Sequence, residues 1–557
     1  MNLFRIFPKS VVALAGILLV SSCNFFDLDI NTDPNNPSAV NPELLLSSAQ
    51  INMAYNMNTF SDVSQGFNGQ LASYDNWTLN NNSFPGTWSS MYANVLKDVE
   101  GLIAATEASG DRAESSNYLG VAKILKGYLF GTMVDMWGDV PFSEALKGDA
   151  SEVISQPKFD KDAQVYDACL ALLDEGIELL DKGSAVKVAG DAIYGGITTK
   201  WQKFARSVKL KMLMNKHNAD ASVLAQIEAL VADPTQLINS SGEDFQFNYG
   251  KLVEPDYRHP WYQAAYAGTS NGFTYILHQP MVEMLEDRDP RWPFYFHRQT
   301  SSILDQTDPT QRNTTPCSNY SGCEYGYIVL NQPLIDQIYP NDDEDPAFLA
   351  GIFGRDAGDP SGTPSDESYR TLPGVYPCGG FHDAGATESP SANAAPGGGI
   401  QPMLTYVNVL YLRTEAAMRL GTTGDARALF ESAIGEHISK VVSFGTATDA
   451  GAVAPDAAVV DAYVALWLGR YDDAANENAR FNVVAKQCWF SSWGNAVELY
   501  NMKRRTGFPT GIQQPLESND RGYPLRLPYP QTEISLNPNA AAYSGTVYDA
   551  DHIFWDN

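Results

Sequence analysis

Cysteine is scarce in this chain, with 6 residues in 557, and histidine is nearly as rare, with 7. No Cys-x-x-Cys pair occurs and the histidines are scattered, which argues against a zinc site. Cys169 and Cys488 lie in helical patterns and are predicted to be buried as small apolar side chains. Cys317 and Cys323 lie in a turn-rich stretch and can form a small-loop disulfide in an oxidising compartment, with Cys378 as a competing partner.

Sequence motifs of common enzymes are also few. The chain contains no His-Glu-x-x-His metalloprotease motif and no glycine-rich phosphate-binding loop. A glycosidase needs two carboxyl groups at a defined distance, and 66 acidic residues offer many chance pairs without singling one out. We therefore expect no enzymatic activity, with a surface glycoside hydrolase as the less favoured alternative.

Basic residues are too few to balance the acidic ones. The chain has 37 lysines and arginines against 66 aspartates and glutamates, which gives a formal net charge of −29 at pH 7. A surface of this sign repels the phosphates of nucleic acids, so a nucleic-acid partner is not expected. It favours neutral or cationic ligands and good solubility outside the cell.

No apolar run of membrane-spanning length follows the N-terminal region. The apolar run at residues 11–20 is short, follows a cationic start, and is followed by two serines and Cys23. This order is typical of a lipoprotein signal peptide, residues 1–22, whose cleavage leaves Cys23 to carry the lipid. Two or more acyl chains on Cys23 would hold the protein stably on a bacterial membrane. An ordinary cleaved signal with a chance cysteine is the alternative.

Helical periodicity is present in two long regions of the chain. We predict helices over residues 118–136, 198–216, 403–440, 474–486 and 493–503, with a break at 421–424. Taken as the pairs 88–136, 162–216, 403–440 and 474–503, the helical segments favour tetratricopeptide-like packing, and an irregular α bundle is equally compatible. The predicted fold class is mainly α, with tetratricopeptide-like helix pairs and a large irregular loop-rich region.

No flexible linker divides the chain, so we predict a single body over residues 23–557. Its helical-repeat parts are expected at about 41–236 and 401–503. The loop-rich part is expected at about 237–400 and 504–557, where glycine, proline, asparagine and tyrosine are frequent. Loops this long inside one body are usually functional.

Sugar recognition needs flat aromatic faces beside planar amide, guanidinium or carboxylate groups. Two loop stretches supply both, residues 74–88 and 257–262, and a later loop adds further tyrosines. We predict ligand contacts from Asn76, Trp77, Trp88, Arg258, Trp261, Tyr262 and Tyr325. Packing of these side chains onto the body is the alternative for each of them. A peptide ligand would use the same loops.

An acidic run at residues 342–345 offers oxygen ligands for calcium. The candidate ligands are Asp342, Asp343 and Asp345. The run lacks the fixed spacing of an EF-hand loop, and a solvated acidic loop is the alternative. No other cofactor is expected.

A set of motifs follows in order along the chain. They are MVDMWGDVPFSEAL (133–146), PKFDKDAQVY (157–166), DAIYGG (191–196), KWQKFARSVKLKM (200–212), LEDRDPR (285–291), GRDAGD (354–359), MLTYVNVLYLRTEAA (403–417), KRRTGFP (503–509) and LRLPYPQTE (525–533). Together with the signal peptide, this set resembles the SusD/RagB family of Bacteroidetes outer-membrane lipoproteins, in its SusD-like branch. Two positions depart from the family pattern, Asn408 in place of Glu and Cys488 in place of Lys.

The resemblance implies tetratricopeptide-like helix pairs with an irregular second part, and a non-catalytic role. Family members look like lids seated on a SusC-like TonB-dependent outer-membrane barrel. The lid captures an oligomeric nutrient, usually a glycan and in some members a peptide, and delivers it to the barrel. The resemblance thus predicts an outer-membrane, lipid-anchored protein exposed at the cell surface, with an oligosaccharide or oligopeptide ligand.

Overall fold

Helices dominate the structure, a computed structural model of the chain that describes residues 41–108, 116–147, 153–267, 273–298, 354–358, 371–384, 397–517 and 521–556. The helices of the first half are α1 (Pro42–Phe67), α2 (Pro85–Ser90), α3 (Lys97–Ala108), α4 (Ser116–Trp137), α5 (Asp162–Lys182), α6 (Thr198–Lys216), α7 (Leu224–Ala232), α8 (Pro260–Tyr266), α9 (His278–Glu286) and α10 (Trp292–Tyr295). The remaining ones are α11 (Tyr406–Glu415), α12 (Ala426–Thr448), α13 (Ala457–Asp472), α14 (Glu477–Ser491), α15 (Val497–Thr506) and α16 (Gln531–Leu536). The predicted mainly α fold class is confirmed.

The described residues also contain two π-helices, two small sheets and four 3-10 helices, Ala221–Val223, Pro234–Gln236, Ser241–Glu243 and Pro538–Tyr543. The π-helices are Met91–Leu96, between α2 and α3, and Ala416–Leu420, after α11. The strands are β1 (Phe245–Asn248), β2 (Phe296–His297), β3 (Leu372–Pro373) and β4 (Ile400–Leu404). β1 pairs antiparallel with β4, and β2 pairs antiparallel with β3. From Pro42 to Asn557 the chain forms one compact unit.

Helix α4 is rich in apolar residues and is buried along nearly its whole length, apart from the partly exposed Lys123 and Lys126. It packs against α5 through glycines on both helices. A Cβ atom built on Gly176 would lie 2.8 Å from the carbonyl oxygen of Gly120 and 2.6 Å from Ile124, so only glycine fits at this close approach. Gly138, with φ +85°, ends α4 in the left-handed region that a side chain disfavours.

The helices predicted at 118–136 and 198–216 are confirmed as α4 and α6. The prediction for 403–440 is wrong at both ends. Met403 and Leu404 belong to β4, because this segment pairs with β1 before Thr405 caps α11, and α12 continues to Thr448. The predicted break is confirmed at Gly421, which has φ +68°.

The family motifs meet in buried ion pairs. Lys211 contacts Asp135 at 3.2 Å and Glu498 at 2.8 Å, and the guanidinium of Arg505 contacts Glu415 at 2.6 Å. These residues lie on α6, α4, α15 and α11 and are almost fully buried. Each of these buried charges therefore contacts an opposite charge, and this attraction offsets the desolvation cost of burying it.

A second buried network follows the LEDRDPR motif. The guanidinium of Arg291 donates to Asp289 at 2.6 Å, to the hydroxyl of Tyr463 at 2.9 Å and to Gln487 at 3.1 Å. This network joins the turn after α9 to α13 and α14. Helix α13 was not among the predicted helices, although it supplies Tyr463 to this network.

The departures from the family pattern are accommodated locally. The Asn408 side chain accepts from the Thr405 backbone N–H at 2.9 Å and from Asn495 at 2.9 Å, so it serves as the capping partner at the start of α11. Cys169 and Cys488 are buried free thiols, as predicted. Cys378 is also a buried free thiol, and its Sγ donates to the Gly374 carbonyl at 3.0 Å, so the expectation of Cys378 as a disulfide partner is wrong.

Candidate functional site

The structure places most of the predicted ligand contacts inside the protein. The exposed fraction of the side chain is 6% for Trp77, 4% for Trp88, 3% for Trp261 and 5% for Tyr262. Trp77 and Trp88 pack in the core built on α1 to α6, and Trp261 and Tyr262 pack in the core built on α8 to α14. Asn76 is exposed and Arg258 is partly buried. The stretches at 74–88 and 257–262 therefore lie over different cores, and ligand contact by these residues stays a prediction.

Several predicted residues lie outside the described residues. They are Cys23, Cys317, Cys323, Tyr325, Asp342, Asp343 and Asp345. Lipidation, the disulfide and calcium binding therefore stay predictions.

Trp261 has a structural role that accounts for its burial. Its indole N–H donates to the carboxylate of Asp62 on α1 at 2.8 Å, and its ring packs edge-on against Phe273 and Trp493. Asp62 also accepts from Asn58 at 3.0 Å. Burial raises the pKa of Asp62 from 3.8 to about 7, although both hydrogen bonds act in the opposite direction.

Arg258 and Tyr262 form a second local unit. The guanidinium of Arg258 pairs with Asp256 at 2.6 Å and lies 5.4 Å from the centre of the Tyr262 ring. Tyr262 also packs against Tyr266, with 5.2 Å between ring centres. A Cβ atom on Gly397 would lie 2.6 Å from the Tyr262 ring, so the backbone of this glycine covers it. This arrangement is typical of loop packing.

Trp77 lies at the edge of a cavity of about 230 Å³, which we call the Trp77 cavity. Its lining residues are Phe67, Asn68, Trp77, Lys503, Pro509, Thr510, Gly511, Ile512, Gln514 and Tyr523. Trp77 and Tyr523 meet edge to face, with 5.5 Å between ring centres. The Tyr523 hydroxyl donates to the side-chain oxygen of Asn68 at 3.2 Å. Aromatic rings and an amide thus form one side of the cavity.

The opposite wall is the segment after α15, residues 509–514. Lys503 Nζ donates to the carbonyls of Gly507 at 2.9 Å and Pro509 at 2.8 Å. Gln279 on α9 donates to the Gly511 carbonyl at 2.6 Å and accepts from the Gln513 N–H at 2.7 Å. Two of the three N–H groups of the Lys503 ammonium are thus bonded to backbone carbonyls. The described lining residues of the cavity include no aspartate or glutamate.

The loop that carries Trp77 has an unusual backbone. Tyr74 has φ +61° and Trp77 has φ +53°, a region that non-glycine residues seldom adopt. The Trp77 N–H donates to the Tyr74 carbonyl at 3.0 Å, and the Tyr548 hydroxyl donates to the Trp77 carbonyl. Asn76 stands exposed between them and accepts from the Thr78 N–H at 3.0 Å. Strained conformations of this kind persist only where the surroundings hold them, and they cluster at functional sites.

A short segment, residues 354–358, holds this loop, and we call it the clamp. The Gly358 N–H donates to the Asp75 carboxylate at 2.8 Å, and the Arg355 guanidinium contacts the same carboxylate at 3.2 Å. Burial raises the pKa of Asp75, although Arg355 and the hydrogen bonds act against this rise. The carboxylate is therefore both desolvated and multiply bonded.

The clamp also holds the opposite wall of the Trp77 cavity. The Ala357 N–H donates to the side chain of Gln513 at 3.1 Å, and the Leu516 N–H donates to the Ala357 carbonyl at 2.9 Å. On its other side, the Gly354 N–H donates to His278 Nε2 at 3.1 Å. One segment thus joins the loop of Trp77 to residues 513–516, and both sides of the cavity are positioned by it.

The lining suits a neutral, ring-shaped ligand. It offers aromatic edges, an aliphatic side chain and amides, with Asn76 exposed on the adjacent loop. Among the described residues, no cluster of three or more His, Cys, Asp or Glu residues could hold a metal ion. A Gly-x-Ser-x-Gly spacing occurs at residues 268–272, outside the described residues.

Of the residues predicted to contact ligand, Trp77 lines this cavity, and no residue of the opposite wall was predicted. Ile512, Gln514 and Tyr523 fall in the stretch predicted only as loop-rich. Gly507, Pro509 and Gly511 are turn-forming residues, and they were the only sequence pattern that indicated an ordered turn in this segment.

The chain matches the model of a family described as "SusD-like_2: Starch-binding associating with outer membrane" over residues 34–530. It belongs to this family. A comparison with curated proteins finds no match. In the described residues, no helix combines the length and the apolar character needed to cross a bilayer.

Solved structures of the SusD-like family share the fold of this chain. A SusD homologue from Bacteroides fragilis is 20% identical, with a TM-score of 0.67, 93% of this chain covered and 99% of that one. A SusD/RagB family protein from Bacteroides thetaiotaomicron is 18% identical, with a TM-score of 0.67 and the same coverage. A chitin-binding protein is 21% identical, with a TM-score of 0.65, 93% of this chain covered and 100% of that one. At these identities the likeness shows the fold alone.

Proposed function

We propose that this SusD-like protein captures an oligomeric, neutral glycan at the Trp77 cavity and delivers it to a TonB-dependent outer-membrane transporter. The observation that carries the proposal is the cavity itself. Aromatic and amide side chains line it, a strained loop borders it, and its one ammonium is bonded to backbone carbonyls. A pyranose ring offers hydroxyl groups to the amides and apolar C–H surface to the aromatic edges and the aliphatic side chain, so the lining matches its chemistry.

The size of the cavity fits capture rather than full enclosure. At about 230 Å³ it lies below the usual range for small-molecule pockets of roughly 300–1,000 Å³. One ring of a chain-like ligand would enter it, and the rest of the chain would stay outside, where Asn76, Thr510 and Gln514 are exposed. In this proposal the site holds the oligomer for delivery elsewhere and has no catalytic step of its own.

The anchor and the partner complete the proposal. Lipid on Cys23, after removal of residues 1–22, would hold the protein at the outer membrane and leave its body free to meet a SusC-like barrel. The family description, which associates these proteins with the outer membrane, supports this location. Calcium at Asp342, Asp343 and Asp345 would be structural and is no part of ligand capture.

Calorimetric titration of the purified protein tests the ligand. Chitohexaose and maltoheptaose are the first probes, because one solved relative is a chitin-binding protein and the family description names starch. The variant Thr510→Trp fills the cavity from an exposed position, and Glu517→Trp places the same side chain on a nearby exposed residue that does not line it. We expect Thr510→Trp to weaken binding of the longer sugar strongly and Glu517→Trp to retain it.

Two results would change the proposal. Binding of a mixed peptide digest that is lost in Thr510→Trp, with no oligosaccharide bound, would keep the capture role and replace glycan by peptide. Release of shorter sugars from either probe by the pure protein would overturn the non-catalytic role.

A further inference from the structure

A second cavity, of about 540 Å³, lies on another part of the surface, and we call it the Trp88 cavity. It is bordered by the π-helix Met91–Leu96, by residues 141–146 and 155–157, and by helix α16. Its lining residues are Trp88, Ser89, Tyr92, Ala93, Lys97, Pro141, Ala145, Leu146, Ser155, Pro157, Glu533, Leu536 and Asn537. It shares no lining residue with the Trp77 cavity.

Two departures from regular backbone geometry converge on the Trp88 cavity. Tyr92 and Ala93 lie in the π-helix, an uncommon element that often marks functional sites. Across the cavity, Leu146 has φ +62°, although it is a bulky residue for which this region is unfavourable. Both departures turn side chains toward the same space, and strain of this kind is usually kept where it serves a site.

The walls of the cavity are held in place. The Tyr92 hydroxyl donates to the Pro141 carbonyl at 2.8 Å. Trp88 stacks on Phe159, with 6.2 Å between ring centres and 16° between planes. Asn537 donates to the Pro157 carbonyl at 2.8 Å and to Glu533 at 2.9 Å, which fixes the end of α16 against the opposite wall. The cavity is therefore preformed, which lowers the cost of ordering on binding.

The lining again combines rings with polar groups. Tyr92, prolines and leucines supply apolar surface, Trp88 contributes little because it is 4% exposed, and Leu536 at the mouth is 76% exposed. Serine hydroxyls and the Glu533 carboxylate supply hydrogen-bonding groups, whereas the Asn537 amide is used within the wall. One lysine and one glutamate balance in charge, so the cavity favours a neutral ligand over an ion.

We infer that the Trp88 cavity is a second saccharide-binding site, which takes one ring of a neutral oligosaccharide. This inference rests on the proposed glycan capture and extends it to two points of attachment. Trp77 and Trp88 lie eleven positions apart in the sequence, and the segment between them ends in helix α2, which contains Trp88. An oligomer long enough to enter both gains affinity by effective concentration, whereas a disaccharide occupies each cavity independently.

The variant Ala93→Trp tests this site on the full-length protein in detergent. Ala93 is exposed and lines the cavity, and its neighbour Asn94 is exposed on the same π-helix and does not line it. Chitohexaose with chitobiose, and maltoheptaose with maltose, are titrated into the parent protein, Ala93→Trp, Asn94→Trp and Thr510→Trp. Circular dichroism and the melting temperature verify that each variant is folded.

We expect Ala93→Trp to weaken binding of the longer sugar by about tenfold or more and to lower the number of bound disaccharides from two to one, with Asn94→Trp unchanged. Loss in Thr510→Trp with none in Ala93→Trp would overturn the second site and leave the proposed function standing. Loss in Ala93→Trp alone would support the second site and remove the Trp77 cavity from the proposal. No binding of any of the four sugars would overturn both.

Discussion

Asp62 is a carboxyl group whose ionisation the fold disfavours. It lies on α1, bonded to the Trp261 indole, and burial raises its pKa from 3.8 to about 7. Because the pKa is higher in the folded than in the unfolded chain, the contribution of Asp62 to stability is complete below about pH 4 and is lost as the pH rises to about 7. Above this range the folded protein carries the full cost of a desolvated charge.

Replacing Asp62 by asparagine removes this cost and keeps an oxygen that can accept from Trp261. We compare the free energy of unfolding of Asp62→Asn with that of the parent at each pH. We expect this difference to favour Asp62→Asn by about 2 kcal/mol more at pH 8 than at pH 5. Urea unfolding followed by tryptophan fluorescence at the two pH values measures the difference. Asp461→Asn, at an exposed position, serves as the control, and an Asp62→Asn effect that is equal at both pH values would contradict the pKa shift.

Single residues also show the limit of sequence reasoning about the site. The sequence identifies Trp77, Trp88 and Trp261 as aromatics in loops, but it does not tell which ring face is covered. Trp261 is buried in the core, where its indole N–H donates to Asp62, nearly two hundred positions away in the sequence. Such pairings are decided by tertiary packing, which composition and local periodicity do not contain.

At the scale of elements, glycine sets the distance between helices α4 and α5. Gly176→Ala would place its methyl group 2.8 Å from a backbone carbonyl, so we expect a loss of about 1–3 kcal/mol in the free energy of unfolding. Gly435 lies on α12 with no atom within 4 Å of a built Cβ, and Gly435→Ala is the matched control. Its expected change is a gain of about 0.5–1 kcal/mol from helix propensity. Chemical denaturation of both variants checks the contrast, and equal effects would refute the close packing.

The clamp couples two loops that do not follow each other in the chain. Asp75→Ala removes the acceptor of Arg355 and of the Gly358 N–H, so we expect hydrogen exchange to rise both in residues 74–82 and in residues 510–517. Asp160→Ala is the control, because Asp160 accepts from the N–H groups of Phe142 and Ser143 in a different loop. Mass spectrometry of exchanged peptides measures the effect. A rise confined to residues 74–82 would show that the clamp does not couple the two walls.

Helices and their ends were predictable where the sequence has a clear apolar stripe or a clear helix break. The helix at 198–216 follows from its apolar stripe, and the break at Gly421 follows from its glycine pair. Helix α13 was not predicted because its own alanines, valines and leucines lie on all of its faces, so its sequence has little amphipathic periodicity. Strand β4 was read as helix because only its partner, Phe245–Asn248, makes it a strand.

At the scale of the whole molecule, the family and the mainly α class were predictable because many motifs occur in one order. Those motifs include Asp135, Lys211, Glu415 and Arg505, whose charges meet in the core. The wall of the Trp77 cavity at residues 509–514 was not predictable. It faces the loop of Trp77 across more than four hundred positions of sequence, and it has no periodic pattern of its own.

The anchor is a property of the whole chain in its envelope. We expect Cys23→Ala to move the protein from the outer-membrane fraction to the soluble fraction, because the cysteine thiol is the attachment point of the lipid. Cys169→Ala, at a buried thiol, should keep the protein on the membrane. Fractionation of cells with immunodetection measures both. Membrane retention of Cys23→Ala would contradict the lipid anchor.

The clamp also affects the order in which parts of the protein fold. Asp75 and Gly358 are 283 positions apart, and Ala357 and Gln513 are a further 156 apart. Contacts of such high sequence separation form late, since each must close a long stretch of chain. A polypeptide emerging from its N-terminus would complete its helical first half well before the ligand cavity exists. Assembly of the Trp77 cavity would therefore require synthesis at least as far as Tyr523, and a product truncated before Pro509 would lack one wall of the cavity.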